Sequence, residues 1–276
     1  MWENSMKVYV CALAKNEHLY INEWVSHYFK LGVDKIFIFD NDDKNAPSIK
    51  DYIDKVYLDK VRIINARGIH KKSMQNEFYE NFYHVEKDNF DWAIYCDIDE
   101  FLVGVDDIKA FLRQPQFANA DQIRIKWKLF GDDDLIERDM NKTVMETFTK
   151  EITHSLNRNL IDIGDLEIQG KAIVRGHLNN VCICSPHYAC VLNRLLPSVL
   201  PNGKKCESLV RIYEDYSNIN VFFNHYMTKS LSEFVKQKLN RGDAIFEKRQ
   251  LKLDYYWRIN RQTQEKIEYL QNLGLV

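Results

Sequence analysis

Three carboxylates, Asp97, Asp99 and Glu100, fall within four residues directly after the apolar run 92–96. Five β-favouring apolar residues read as a buried strand. Ligands of open α/β sheets gather at the carboxyl ends of strands, where these acids stand. While the chain stays extended, alternation sends Asp97 and Asp99 to the same side. Two hard oxygen donors so placed suit Mg²⁺ or Mn²⁺. The competing reading is a solvated turn at a strand end, which any surface loop can supply.

Other groups converge on the same chemistry. Lys15-Asn16-Glu17 follows the apolar run 7–14, and Asp40 follows the run 35–39. Three strand ends therefore present polar groups to one edge, as a nucleotide site requires. His225 and Lys229 bracket a turn between the strand expected at 221–226 and Ser230-Leu231-Ser232-Glu233, which has capping-box spacing. A helix start offers N–H groups and partial positive charge to an anion, Lys229 adds a full charge, and neutral imidazole is a metal ligand. The plainer reading of His225 is a hydrogen-bonded core residue.

Asp132-Asp133-Asp134 follows Gly131 and lies close in sequence to Trp127. A ring can take the apolar face of a sugar while a carboxylate takes a hydroxyl or acts as general base. A solvated acidic turn is the alternative for each of the three. Cys182, Cys184, His187 and Cys190 place four donors in nine residues, so zinc must be weighed. Their spacing matches no common finger and falls in an apolar strand pattern, where buried thiols are ordinary.

The elements that position these groups alternate in type. Strands are expected at 7–14, 35–39, 61–64 and 92–96. Helices are expected at 18–31, at 48–57 and along the stripe Met74, Phe78, Phe82, Val85. That order implies a parallel sheet covered on both faces. Further on, the pattern gives a short helix at 107–113, strands at 122–127, 171–175 and 181–184, and a loop at 192–207. A helix opens at Ser230 and stops at Gly242, and the basic tail 248–276 holds one more.

The 276 residues suit one large domain with or without an extension. A net charge of −2 argues against bulk electrostatic binding of nucleic acid or an anionic membrane. Six scattered cysteines do not make a disulfide scaffold, so a reduced compartment is expected. No signal-peptide pattern and no apolar run of about 18 residues is found. The expectation is a cytoplasmic chain with at most peripheral contact at the inner face of a membrane.

Several of these segments together resemble the glycosyltransferases of the GT-A class, in particular the family 2-like and family 92-like group. The matching residues are Lys15-Asn16-Glu17 with Glu23-Trp24 and Leu31-Gly32-Val33; Phe39-Asp40-Asn41; Cys96 to Phe101; Trp127 with Phe130-Gly131; Lys171 with Ile173-Val174; and Asn224-His225-Tyr226 with Thr228-Lys229-Ser230. They run in the family's order from residue 8 to about 242.

The resemblance implies a GT-A fold: a central, mostly parallel sheet with helices on both faces, plus a C-terminal helical extension. It divides the chain into a transferase domain 1–242, with a nucleotide-binding half 1–103 and an acceptor half 104–242, and the extension 243–276. It also implies a UDP-sugar donor, Mn²⁺ or Mg²⁺, and a glycan or glycolipid acceptor, in surface polysaccharide or lipopolysaccharide assembly. Asp97, Asp99 and His225 match the metal ligands. Ala14, Asn16, Glu17, Asp40, Asn41, Gln75, Asp97 and Lys229 match donor contacts, and Trp127 and Gly131 acceptor contacts. One of Asp132, Asp133 and Asp134 would be the base, and inversion follows by analogy. Asp40-Asn41-Asp42-Asp43 departs from the family's usual Asp-Asn-x-Ser. A metal-dependent nucleotidyltransferase or phosphohydrolase, and a non-catalytic sugar-nucleotide-binding domain, are the rival readings.

Overall fold

Alternation along the first strand decides the layering. In β1 (Val8–Ala14), Val8, Val10, Ala12 and Ala14 pack with Trp24, Val25 and Tyr28 of helix α1 (Ile21–Lys30). Tyr9 and Cys11 point the other way, to Tyr79, Phe82 and Tyr83 of α2 (Met74–Glu86). A strand apolar on both faces must be covered on both, and here one helix covers each. The computed structural model that shows this describes residues 6–152, 166–239 and 252–276.

β2 (Lys35–Asp40), β3 (Val61–Asn65) and β4 (Trp92–Tyr95) run parallel with β1 in the order β3-β2-β1-β4. The chain builds outward from β1 to β3, then returns to place β4 on the other side of β1. That reversal makes a switch point between β1 and β4, where ligands of open α/β sheets bind.

Beyond β4 the sheet is mixed, not mostly parallel as expected. The next strands in sequence are β5 (Glu100–Val103), β6 (Gln122–Phe130), β7 (Glu151–Ile152) and β8 (Gly170–Arg175). β8 lies antiparallel between β4 and β6; β13 (Phe222–Tyr226) runs parallel to β6, and β5 closes antiparallel to β13. β7 and the short β12 (Ser198–Val199) also pair with β6. Parallel neighbours need long crossovers, usually helical, and the only helix described between β5 and β6 longer than one turn is the five-residue Ile108–Leu112. β9 (Val181–Ser185), β10 (Tyr188–Val191) and β11 (Arg194–Leu195) form a separate antiparallel sheet, from which Val181, Ile183 and Ala189 join the α2 core.

Several expected elements differ. The helix at 48–57 is two 3₁₀ turns, Ile49–Tyr52 and Lys55–Tyr57. On α2, Val85 is 62 % exposed, because the larger rings of Tyr79 and Tyr83 take the inward face. β5 had not been expected, and the loop 192–207 carries β11 and β12. The capping box at Ser230 and Glu233 is present, but only Leu231–Glu233 is α-helical before a single π turn, Phe234–Lys238. The predicted stop at Gly242 lies outside the described residues, as do residues 248–251 of the tail. The tail has two helices, Leu253–Ile259 and Gln264–Asn272, where one was expected. No helix among the described residues is long and apolar enough to cross a membrane.

The pairing of β8 with β6 depends on Gly170, where an added Cβ would stand 1.9 Å from the Ile125 carbonyl oxygen. Backbone cannot yield as a flexible side chain does, so Gly170→Ala should lower unfolding stability by about 2 kcal/mol. The urea midpoint measures this, and an unchanged midpoint would mean that the two strands lie farther apart.

Candidate functional site

The acids after β4 do not continue an extended strand. Glu100 N–H donates to the Asp97 carbonyl at 3.1 Å, so 97–100 is a turn that reverses the chain into β5. Alternation therefore does not govern Asp97 and Asp99, and they meet different neighbours. Aromatic donors hold the turn from both faces of the sheet. Trp24 Nε1 donates to the Asp97 and Glu100 carbonyls at 3.1 and 3.0 Å, Tyr28 hydroxyl to Glu100 at 3.0 Å, and Tyr79 hydroxyl to Cys96 at 3.2 Å. On the fourth side Tyr226 N–H donates to the Asp99 carbonyl at 2.9 Å.

Each carboxylate of the turn faces a buried ammonium. Lys171 Nζ of β8 lies 2.7 Å from Asp97 Oδ2 and 3.5 Å from Glu100 Oε1. Gln75 Nε2, at the start of α2, donates to Asp97 Oδ1 at 2.5 Å. Lys238 Nζ sits 2.5 Å from Asp99 Oδ2 and 2.6 Å from the Met227 carbonyl. Burial works to raise both aspartates, yet Lys171 holds Asp97, and Lys238 with His225 holds Asp99, below the usual carboxylate range. For Glu100 burial wins over Lys171, and its carboxyl is pushed well up. Glu100 Oε2 accepts the Asp97 N–H at 3.0 Å, which ties the turn to itself.

His225 lies on β13 opposite Glu100 of β5. Its Nε2 is 3.6 Å from Asp99 Oδ1 and its Nδ1 is 3.9 Å from Glu100 Oε1, distances too long for hydrogen bonds. Burial pushes the ring's pKa down to about 4, so the imidazole is neutral at pH 7 and keeps a lone pair for a metal. Two carboxylates and a neutral imidazole fit Mn²⁺ or Mg²⁺ in chemistry. His225 Nδ1 is buried without a hydrogen-bond partner among the described residues, so the ring is not committed elsewhere. Among the described residues no group of three His, Cys, Asp or Glu side chains closes on one point tightly enough to hold an ion.

A second polar cluster is assembled at the ends of β1 and β2. Ala14 pairs with Asp40 across the two strands, and its carbonyl accepts the Asn41 N–H at 2.8 Å. Asn16 adopts φ +57° and donates its N–H to Asp42 Oδ1 at 2.6 Å. Asp40 Oδ2 meets Arg67 Nε at 2.9 Å, and the Asn41 amide donates to Ala66 and Ile69 carbonyls at 2.8 and 2.7 Å. Lys229 is buried, with its ammonium 4.0 Å above the Tyr20 ring and 4.0 Å from Glu17 Oε2. It makes no hydrogen bond among the described residues. The helix start beside it does not provide the free amides that had been expected. Ser230 N–H goes to Glu233 Oε2, Leu231 and Ser232 N–H to the Leu135 and Ile136 carbonyls, and Glu233 N–H to Ser230 Oγ. Lys229 alone is left to meet an anion there.

The acid turn lies farther along, at the end of β6. Asp132 is buried against Tyr256 and Lys266 of the C-terminal helices, and accepts the Asp134 N–H at 2.9 Å. Asp133 accepts the N–H groups of Thr149 and Lys150 at 3.0 and 3.2 Å. Asp134 pairs with Arg261, whose hydrogen bond holds its carboxyl below the ordinary value. With Gly131, Lys150, Ile152 and Asn260 the three line a cavity of about 290 Å³. Gly131 is needed there, since a Cβ would meet Asn260 Oδ1 at 2.6 Å. Trp127 packs instead with His225 (4.6 Å between ring centroids) and His187 (5.3 Å), so its ring is taken up by the two imidazoles and offers a sugar little open face.

Cys182 and Cys184 lie in β9 and Cys190 in β10, as strand residues. Burial pushes the Cys182 and Cys184 thiols up to about 12 and about 11, so neither is a thiolate at pH 7. His187 Nδ1 is taken by the Gly170 carbonyl at 2.8 Å. These donors do not assemble a zinc site among the described residues.

No role was legible in the sequence for Lys171, Lys238, Arg67 or Tyr20. Lys171 carried a signal, being a charge inside the apolar strand 170–175; Lys238, within an ordinary helical pattern, carried none. No family model matches this chain, and no curated protein is similar to it. The fold and this cluster define an α/β protein with a mixed sheet and a charged switch-point site.

His187 tests the electrostatics of the β8 side. Burial, then Lys171, pushes its pKa from 6.5 down to about 3. The unfolded chain thus binds the extra proton between these values, and stability that is present above pH 6.5 is lost as pH falls. Relative to His187→Gln, the wild type should lose up to about 1.4 kcal/mol more per pH unit in that window. Urea melts at stepped pH measure the difference, and parallel curves would mean a solvated imidazole.

Proposed function

We propose that this protein is a metal-dependent glycosyltransferase that moves a sugar from a UDP-sugar to a hydroxyl of a glycan or glycolipid. The observation that carries the reading is the switch point: Asn16, Asp40 and the Asp97–Asp99 pair stand at the adjacent carboxyl ends of β1, β2 and β4. Asp40, Asn41 and the Asn16 turn are suited to the nucleoside, and Gln75 to the donor beside Asp97. Asp97, Asp99 and His225 would hold Mn²⁺ or Mg²⁺, which supplies Lewis-acid neutralisation of the departing diphosphate. Lys229, buried and without a hydrogen bond among the described residues, adds a preorganised positive charge for the phosphates.

On the acceptor side, the cavity of the acid turn is suited to a sugar, with Gly131 and Ile152 as its apolar wall. Asp132 is committed to Lys266 and Tyr256, so the base is assigned to Asp133 or Asp134, the more exposed two. That carboxylate takes the acceptor proton as the acceptor oxygen bonds to the anomeric carbon. The bond from that carbon to the β-phosphate oxygen breaks, its electron pair leaves with UDP, and in-line attack gives inversion.

Incubation with Mn²⁺ and a panel of UDP-sugars, scored by UDP release, tests the reading. Asp99→Asn should lose about a hundredfold or more in rate, the equivalent of several kcal/mol of metal stabilisation. Equal rates in a folded Asp99→Asn variant, or no release from any donor, would overturn it.

A further inference from the structure

We propose that Lys238 is a built-in cation of this site: its ammonium pairs with Asp99 and is exchanged for the divalent ion when one binds. The inference rests on the metal-binding part of the proposed function. Lys238 Nζ lies 2.5 Å from Asp99 Oδ2, while the other oxygen of the same carboxylate faces His225 Nε2 at 3.6 Å. The ammonium therefore occupies the carboxylate for which an ion held by Asp99 and His225 would compete.

Of the two lysines on the acids, only Lys238 is placed to leave. Lys171 is embedded in β8, hydrogen-bonded between β4 and β6, with its ammonium between Asp97 and Glu100. Lys238 is the last residue of a single π turn, closed by Leu239 N–H on the Phe234 carbonyl at 2.8 Å. Its backbone is carried by that one turn, where Lys171 is held by strands on both sides, and π turns inside helices are rare and local. Its position is also contested. Burial, and next the Lys238 charge, destabilise the ammonium of Lys229, so the two buried like charges oppose each other.

The exchange reaches the nucleotide side. Gln237, next to Lys238, accepts the Asn16 side-chain N–H on its carbonyl at 3.4 Å. Withdrawal of Lys238 thus loosens the turn after β1 as the ion arrives. A divalent ion in place of a single ammonium leaves the site one unit more positive, as a diphosphate requires.

Two measurements on the full chain without nucleotide test this. The first is Mn²⁺ titration followed by the electron paramagnetic resonance of free Mn²⁺, for wild type, Lys238→Met and Lys238→Arg. Lys238→Met should bind about tenfold tighter, as removal of a competitor predicts, and Lys238→Arg no tighter than wild type. The second is trypsin cleavage after Lys238, read by mass spectrometry, which saturating Mn²⁺ should accelerate at least several-fold in the wild type. Equal or weaker binding by a folded Lys238→Met overturns the exchange while leaving the metal site standing. Should that variant fail to fold, cleavage in the wild type decides, and a rate unmoved by bound Mn²⁺ overturns the exchange. Absence of Mn²⁺ binding in wild type and both variants would remove the metal site itself, and this inference with it.

Discussion

Buried charge is the constraint on which this structure depends. Asp99 is buried against the ammonium of Lys238 and Asp97 half-buried against that of Lys171, with the buried Glu100 carboxyl and Lys229 close by. Isolated ions in such a place are strongly disfavoured, and removing one partner of a buried pair costs about 3–5 kcal/mol. Replacing such groups with apolar residues is often neutral or stabilising, so stability alone does not explain them. Held charge sheltered from water is what stabilises a charge that develops during a reaction.

Holding those charges still is the task of uncharged groups. The turn 97–100 receives hydrogen bonds from Trp24 and Tyr28 of α1, while Tyr79 of α2 holds the preceding carbonyl of Cys96 and Tyr226 of β13 that of Asp99. The Trp24, Tyr28 and Tyr79 rings that donate here are also members of the apolar core. Core packing and site geometry are therefore one set of contacts, and a ring that shifts in the core moves a carbonyl in the site. Interiors packed as densely as crystals transmit such shifts.

The C-terminal helices bring a second half to the site from far along the chain. Asn260 donates to Thr228 Oγ1 at 3.0 Å and accepts the Asp132 N–H at 2.8 Å, linking the acid turn to the segment that carries Lys229. Leu231, Phe234, Tyr256 and Leu270 form a small core beneath these contacts. The extension thus helps to build the cavity next to the acid turn.

Much of this was legible in the chain. The apolar runs fixed β1, β2, β3 and β4 to within a residue or two, because a strand buried on both faces leaves an unbroken hydrophobic signature. The positions of Asp40, Asp97 and Asp99 at strand ends followed directly, as did the cap at Ser230, whose hydrogen bonds are local. Pairing partners brought together across the chain were not legible. That Lys171 meets Asp97 across 74 residues, or Lys238 meets Asp99 across 139, has no local pattern. The antiparallel insertion of β8, the turn that parts Asp97 from Asp99, and the capture of Asp132 by Lys266 belong to the same class. Local sequence sets which backbone each segment prefers, but only the closed sheet and its packed core decide which charges must share one dry space.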